Sequence, residues 1–207
     1  MKILSRVSGS HYVNMCLVWC ERTGKAAIFD APDQAIQIAD EIGRRGLQPE
    51  FLINTHGHLD HIEENAHLKE LFNVPLLIHE KDRPMLIDPA KNLSLYTGEN
   101  IVSPDADRTI GEGDVLKVGD GEMKIFHIPG HTPGSLVFYY PGFLIAGDTL
   151  FAGGIGRTDF PGGDERALLE NITEKILTLP EDTIVYPGHG PATTVGEERR
   201  TNPFLRT

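Results

Sequence analysis

The chain has 207 residues, of which 40% are hydrophobic and 24% are charged, values typical of a globular protein with its own core. Its formal net charge is −11, so we expect no nucleic-acid partner, because binding to a phosphate backbone needs clustered Lys and Arg. No apolar run reaches the length of a membrane span, and residues 1–6 lack the long apolar segment of a secretory signal. We therefore expect a single domain over residues 1–207, a cytoplasmic location and no membrane partner.

The first part of the chain alternates between strand and helix patterns. Short β-rich runs separated by turn residues predict strands over residues 2–7, 12–20, 25–29, 51–54 and 74–79. Ile36, Ala39 and Ile42 have helical spacing and predict a helix over residues 35–45 that Gly46 ends. A second helix is predicted over residues 61–72, with a buried stripe of Ile62, Leu68 and Leu71.

The second part repeats this order after an irregular stretch. Between residues 81 and 114 the pattern is broken by prolines and a glycine, which predicts one short helix and a long connection. Strands are then predicted over residues 115–118, 123–128, 136–140, 143–146 and 183–186, a glycine-rich loop over 151–164, and helices over 165–179 and 197–202. Two runs of strands, each followed by helices, predict two packed β-sheets with helices outside, which is an α/β architecture.

The two cysteines, Cys16 and Cys20, lie on one face of a predicted strand. At about 3.3 Å per residue they are about 13 Å apart, which is too far for a disulfide. We expect two buried, reduced thiols.

Seven residues of metal-ligand type lie just past the ends of four predicted strands, beside glycine: His56, His58, Asp60, His61, His131, Asp148 and His189. His56 and His58 are two apart in extended chain, so they point to the same side and can bind one metal ion. The turn into the next helix directs Asp60 and His61 elsewhere. This spacing predicts two sites, with His131 and His189 completing separate sites and Asp148 between them. Imidazole with carboxylate suits zinc, iron or manganese.

Each of these residues also has a simpler interpretation. Asp60 alone could be a helix N-cap, with Glu63 completing a capping box, and Gly130 and Gly188 could be plain turn residues. Thr132 and Thr149 could orient the ligands or only form turns. Four other histidines lack such a setting and are predicted to be structural: His11, His67, His79 and His127.

The segment Thr55-His56-Gly57-His58-Leu59-Asp60-His61, with the later His131, Asp148 and His189, resembles the metallo-β-lactamase superfamily along nearly the whole chain. The resemblance implies a four-layer αββα sandwich with the site at one edge of the paired sheets. It also implies a ligand set for each ion: His56, His58 and His131 for metal 1, Asp60, His61 and His189 for metal 2, and Asp148 as the bridge.

Within the superfamily, the segments Gly147-Asp148-Thr149-Leu150-Phe151 and Gly156-Arg157-Thr158-Asp159-Phe160 resemble the short, single-domain type II glyoxalases of bacteria, which are hydroxyacylglutathione hydrolases. This resemblance implies a small-molecule thioester as substrate, S-D-lactoylglutathione or a related hydroxyacyl thioester. It implies two divalent cations, zinc before iron or manganese, and a metal-bridging hydroxide aimed by Asp60 and Asp148.

The same resemblance makes Arg157 a candidate substrate-binding residue, because it stands where the family places a glutathione-binding lysine. Two family tyrosines that grip glutathione are absent, and Asp159 and Pro191 stand in their positions. Two alternatives remain open: a persulfide dioxygenase that uses one iron, which the Gly-Arg-Thr-Asp-Phe segment also resembles, and a lactonase of the same fold. A β-lactamase is not expected, because those enzymes lack the bridging aspartate.

Overall fold

The computed structural model describes residues 1–206, which form two six-stranded β-sheets and a short two-stranded hairpin. The first sheet holds, in spatial order, β1 (Lys2–Ser8), β2 (Val13–Trp19), β3 (Lys25–Phe29), β4 (Gln48–Ile53), β5 (Leu76–Ile78) and β6 (Arg108–Thr109). The second sheet has the order β14-β13-β10-β9-β8-β7, and its strands are β7 (Val115–Val118), β8 (Gly121–His127), β9 (Leu136–Tyr140), β10 (Phe143–Gly147), β13 (Ile184–Pro187) and β14 (Thr193–Thr194). The hairpin pairs β11 (Leu150–Phe151) with β12 (Gly154–Ile155).

The helices are short and lie mostly between strands. They are α1 (Ile38–Arg45), α2 (Leu59–Ile62), α3 (Asn65–Phe72), α4 (Arg83–Leu86), α5 (Ser94–Thr97), α6 (Glu165–Asn171) and α7 (Val195–Thr201). A 3₁₀ turn over Ala35–Gln37 precedes α1, and a π-helical turn over Ile172–Ile176 continues α6. None of the helices in residues 1–206 has the length and apolar character needed to cross a membrane.

Three apolar clusters separate the layers. In the first, Ile38 and Leu68 pack from α1 and α3 onto the outer face of the first sheet. The second lies between the sheets, where the rings of Phe29 and Phe138 meet with centroids 4.9 Å apart. In the third, Leu168 packs from α6 onto the outer face of the second sheet. The order helix, sheet, sheet, helix confirms the predicted αββα sandwich.

Strand β2 is apolar except for Asn14, because both of its faces are covered. Met15 and Leu17 belong to the cluster under the helices, whereas Cys16 and Val18 belong to the cluster between the sheets. A strand covered on both faces cannot alternate apolar with polar residues. Cys16 and Cys20 are both buried free thiols, as predicted.

Several predicted elements differ from the structure. The helix predicted over residues 61–72 is two helices, because Glu64 N donates to Ala31 O at 2.8 Å and interrupts the helical hydrogen bonds between α2 and α3. Leu71, predicted to be buried, is 51% exposed. The stretch from 81 to 114 contains two one-turn helices and β6, and the predicted loop over 151–164 contains the hairpin β11–β12.

Four strands end at the same edge of the sandwich. Strands β10 and β13 are parallel, and β9 runs antiparallel to both β8 and β10, so β8, β10 and β13 all point the same way. At this edge the first sheet meets the second through two backbone hydrogen bonds, Leu136 N to Thr55 O at 2.8 Å and Asn14 N to Gly188 O at 2.7 Å. The loops after β4, β8, β10 and β13 therefore converge.

Candidate metal centre

The first of two ligand groups consists of His56, His58 and His131, all buried. His58 Nδ1 lies 2.9 Å from His131 Nε2, and His56 Nε2 lies 3.3 Å from the same atom. The three nitrogens thus face one point. Three convergent imidazoles are a donor set that suits a transition-metal ion.

The second group consists of Asp60, His61 and His189. His189 Nε2 lies 3.2 Å from Asp60 Oδ2, and His61 Nε2 lies 3.8 Å from it. Asp60 and His61 lie in α2, which begins directly after the extended residue His58. The chain turns into a helix at this point, as the sequence predicted. The turn into the helix therefore separates the two groups.

Asp148 lies between the groups. Its Oδ1 is 3.5 Å from His61 Nε2, and its Oδ2 is 3.6 Å from both His131 Nε2 and His189 Nε2. The structure thus brings together all seven residues that the sequence singled out. Their roles as ligands, and that of Asp148 as a bridge, remain predictions.

The imidazoles are oriented by hydrogen bonds at their other nitrogen. His61 Nδ1 donates to Asp30 Oδ2 at 2.9 Å, and His131 Nδ1 donates to the Arg157 carbonyl oxygen at 2.8 Å. These bonds leave Nε2 of each ring free for a cation, which is the usual arrangement of metal-binding histidines. His61 Nε2 and Asp148 Oδ1 are buried atoms without a hydrogen-bond partner in residues 1–206. Two buried polar atoms that face each other without partners fit a cation between them.

Five of the seven candidate ligands have pKa values that leave them in the protonation state that binds a divalent cation. Burial lowers the pKa of His56 and His131, and burial together with the neighbouring His131 ring lowers the pKa of His58 to about 3. Burial acts to raise the pKa of Asp60 and Asp148, but the adjacent imidazoles, His61 first, lower both below the ordinary value. Burial acts to lower the pKa of His61 and His189, but the facing carboxylates, Asp30 first for His61 and Asp60 first for His189, raise both above the ordinary value. Because divalent cations bind neutral imidazoles and charged carboxylates, a bound cation would displace a proton from each of these two rings.

Two buried aspartates that sequence reasoning missed hold the loops of the site. Asp82, which is 0% exposed, accepts hydrogen bonds from Gly57 N at 3.1 Å, Gly134 N at 2.7 Å and Thr132 Oγ1 at 2.6 Å. It therefore ties the loop of His56 and His58 to the loop of His131. Burial raises the pKa of Asp82 to about 6 against the effect of these donors.

Asp30 does the corresponding work for the second group. Besides His61 it accepts from Thr55 N at 2.8 Å. Thr132 thus supports the site through Asp82, whereas Thr149 Oγ1 is buried without a partner in residues 1–206 and gives no such support.

Gly188 is more than a turn residue. A Cβ atom there would lie 2.1 Å from Asp148 Oδ1 and 2.9 Å from His61 Cε1, so only glycine leaves room for both side chains. Gly130 has φ +137°, a conformation that other residues rarely adopt. Gly188 therefore cannot be replaced without displacing site residues, whereas a Cβ atom at Gly130 would collide with Asp164 O and Leu168 at the start of α6.

The capping interpretation of Asp60 is wrong. Helix α2 begins at Leu59 after His58, and no side chain caps it. Glu63 instead accepts from Asp33 N at 2.7 Å and lies 3.6 Å from His11 Nδ1. Asp60 is left free to face the site.

The site opens into a cavity of about 750 Å³. Five of the predicted ligands line it: His58, Asp60, His131, Asp148 and His189. Arg157 and His11 line it as well, and the substrate-binding role of Arg157 stays a prediction. The other three histidines lie elsewhere: the rings of His79 and His127 stack 4.2 Å apart, and the exposed His67 pairs with Glu64. The lining residues include no Ser, Cys or Lys that could act as a covalent nucleophile.

The Arg157 side chain is already engaged. Its Nε and Nη2 donate to the two carboxylate oxygens of Asp159 at 2.9 and 2.7 Å, and its guanidinium lies 4.2 Å above the Phe160 ring. The carbonyl oxygen of Arg157, rather than its charge, supports His131. The charge is therefore shared with Asp159 at the rim of the cavity.

Comparison with known proteins places this geometry in a family. Residues 9–189 match the metallo-beta-lactamase superfamily, and the chain belongs to it. Hydroxyacylglutathione hydrolase GloC of Haemophilus influenzae is 39% identical over 198 residues, which cover 94% of this chain and 93% of GloC. The BLEG-1 B3 metallo-beta-lactamase has a TM-score of 0.94 and 38% identity, with 100% of both chains covered. TTHA1623, solved in a di-iron-bound form, has a TM-score of 0.87 and 34% identity over 98% of this chain and 100% of its own. The chain is a metallo-hydrolase of this superfamily.

Proposed function

We propose that this protein hydrolyses a small-molecule thioester, S-D-lactoylglutathione or a related hydroxyacyl thioester, with two divalent cations. The observation that carries the proposal is the position of Asp148, whose two oxygens face both ligand groups at the base of one open cavity. The similarity to GloC supports the choice of a glutathione thioester.

Bound cations would supply a water molecule of lowered pKa and would polarise the thioester carbonyl. The protein fixes where this happens. Asp60 and Asp148 line the cavity as carboxylates and can accept hydrogen bonds from the attacking water, which aims it at the substrate carbon. Asp30 and the Arg157 carbonyl keep His61 and His131 from rotating, so the geometry exists before the substrate binds.

The bond changes are those of a simple hydrolysis. The water oxygen forms a bond to the carbonyl carbon, the carbon–sulfur bond breaks, and the sulfur leaves as a thiolate that takes up a proton released from the water. Because a thiol has a pKa of about 8.5, the thiolate leaves without a strong general acid.

Zinc is our first choice for the cations, with iron or manganese as the alternatives, because imidazole and carboxylate suit all three. The similarity to TTHA1623 in its di-iron form supports iron. Elemental analysis of protein purified from medium supplemented with each metal distinguishes them, and we expect about two ions per chain.

The reaction is tested on S-D-lactoylglutathione by following the release of free thiol. Asp148→Asn nearly preserves the shape of the side chain but removes its charge, so kcat should fall at least about 10²-fold, roughly 2.7 kcal/mol. Asp40→Asn on the exposed face of α1 is the matched control and should leave kcat unchanged. Oxygen uptake with glutathione persulfide, one iron per chain and no thioester cleavage would instead identify a persulfide dioxygenase.

Hydrolysis of a β-lactam is a second candidate, favoured by the similarity to BLEG-1 over the full length of both chains. The same aimed water can attack a strained amide carbonyl. Benzylpenicillin assayed with the same preparation tests it. Cleavage of benzylpenicillin with a higher kcat/KM than every thioester tried would make this the principal activity, and cleavage of simple lactones alone would indicate a lactonase.

A further inference from the structure

The outer walls of the cavity are apolar. Beyond the candidate ligands they are formed mainly by six side chains from α2, from α5 and the residue before it, from β11 and from the loop that precedes α6: Leu59, Leu93, Tyr96, Phe151, Phe160 and Pro161. Phe160 contacts the first ligand group, with its ring centroid 5.7 Å from that of His58, and Phe151 lies 6.3 Å from His189 of the second. A cavity of about 750 Å³ is large enough for a small organic ligand.

One of these wall residues has an unfavourable backbone. Leu93 has φ 73° and ψ −2°, a left-handed conformation that a bulky apolar side chain rarely adopts. Asn92 fixes it there, because its side chain donates to Met85 O and Ile101 O and accepts from Ser94 N, and its carbonyl accepts from Leu59 N at 2.9 Å. A strained apolar residue held at the wall of a binding cavity is typical of a functional contact.

Arg157 is the only Lys or Arg that lines the cavity in the described chain. Two of its N–H groups, on Nε and Nη2, are bound by Asp159, so its charge is only partly available to an anionic substrate. The remaining charged side chains of the lining are carboxylates, and the whole chain carries a net charge of −11. A tripeptide with two carboxylates would find little to pair with here.

We propose that the cavity selects thioesters whose thiol part is apolar and uncharged, in preference to the charged glutathione tripeptide. This rests on the proposed thioester hydrolase activity. Because the acyl carbon has to reach the two ligand groups, a short hydroxyacyl group leaves the outer walls to the thiol part. Leu93, Tyr96 and Phe160 then contact that part and determine specificity.

Two thioesters of the same acid test this: the D-lactoyl thioesters of benzyl mercaptan and of glutathione. After division by their rates of hydroxide-catalysed hydrolysis, the benzyl thioester should have a kcat/KM at least about tenfold higher, through a lower KM, because its ring is buried against apolar walls. An equal or higher kcat/KM for the glutathione thioester overturns the proposal. If neither thioester is cleaved, the proposed function is wrong, and calorimetric binding of the two intact thioesters decides the specificity in the same way.

A substitution at Leu93 separates binding from structure. Asn tolerates the left-handed conformation, so Leu93→Asn should keep or raise the Tm while it raises KM for the benzyl thioester at least about fivefold and leaves the glutathione thioester unchanged. Leu95→Asn is the matched control, since Leu95 is exposed on α5, which begins directly after Leu93, and does not line the cavity. A lower Tm with equal losses for both thioesters would show that Leu93 is merely structural and would contradict its contact with the thiol part.

Discussion

The two ligand groups differ in how deeply they are buried and in how firmly their loops are held. In the first group His56, His58 and His131 are at most 5% exposed, and Asp82 ties together the two loops that carry them. In the second group the His61 side chain is fully buried, whereas that of His189 is 31% exposed and that of Asp60 17%. The comparison indicates a rigid half that belongs to the core and a more open half that faces the cavity.

This difference follows from where the chain enters the site. The first group comes from loops pinned between the two sheets, where a buried carboxylate satisfies backbone N–H groups of both. His189 comes from the end of β13 and is held by a backbone bridge to Val13 in the neighbouring hairpin. We expect the first group to bind its metal ion more tightly than the second.

The largest effect that would sharpen this comparison is expected at Gly188. A Cβ atom in Gly188→Ala collides with the side chain of Asp148, which lies between the two groups, and with that of His61 in the second group. It does not collide with an apolar core side chain. We expect kcat to fall at least about 10²-fold with little change in Tm. Gly43→Ala, where a Cβ atom meets nothing within 4 Å, is the control and should keep full activity. A large loss of Tm in Gly188→Ala would mean that this loop belongs to the rigid half.

Metal stoichiometry tests the comparison directly. His189→Ala should lose about one of the two metal ions. In a calorimetric titration of metal-free protein it should still show the tighter of the two metal-binding events, which we assign to the first group. His58→Ala should lose the tighter event, because it removes one of three buried donors of the first group. If both variants lose the same event, the two halves do not bind metal independently.

The two buried aspartates should have smaller and separable effects. Asp82→Asn places an amide N–H₂ against N–H donors, and we expect it to weaken the tighter metal-binding event about 10-fold to 100-fold. Asp30→Asn should weaken the other event by a similar factor, through His61. Titrations that show the opposite assignment would reverse the pairing of each aspartate with its half.

These aspartates also mark what the sequence could not predict. His56 to His61 could be predicted as a cluster because the motif is local, and the strand ends before His131, Asp148 and His189 are visible as apolar runs. Asp82 lies in the irregular stretch and contacts Gly57 and Gly134, which are 25 and 52 residues away in sequence. His11 reaches the cavity only because the β1–β2 hairpin folds over it. Such contacts depend on the assembled sheets and leave no periodic signal.

The smallest expected effect concerns the rim of the cavity beside the first group, where Asp159 holds the Arg157 guanidinium through two hydrogen bonds. Asp159→Asn removes the competing charge, so the freed guanidinium becomes available to a substrate carboxylate. An exposed ion pair is worth about 0.2–1 kcal/mol, so KM for S-D-lactoylglutathione should fall no more than about fivefold, with kcat and the KM for the benzyl thioester unchanged. Asp105→Asn is the control, because Asp105 binds Arg83 through two hydrogen bonds in the same way, but Arg83, unlike Arg157, does not line the cavity. A rise in KM for S-D-lactoylglutathione would mean that Asp159 itself contacts the tripeptide, since its removal would then cost a contact with the substrate. In that case the rim of the cavity beside the first group would be adapted to glutathione.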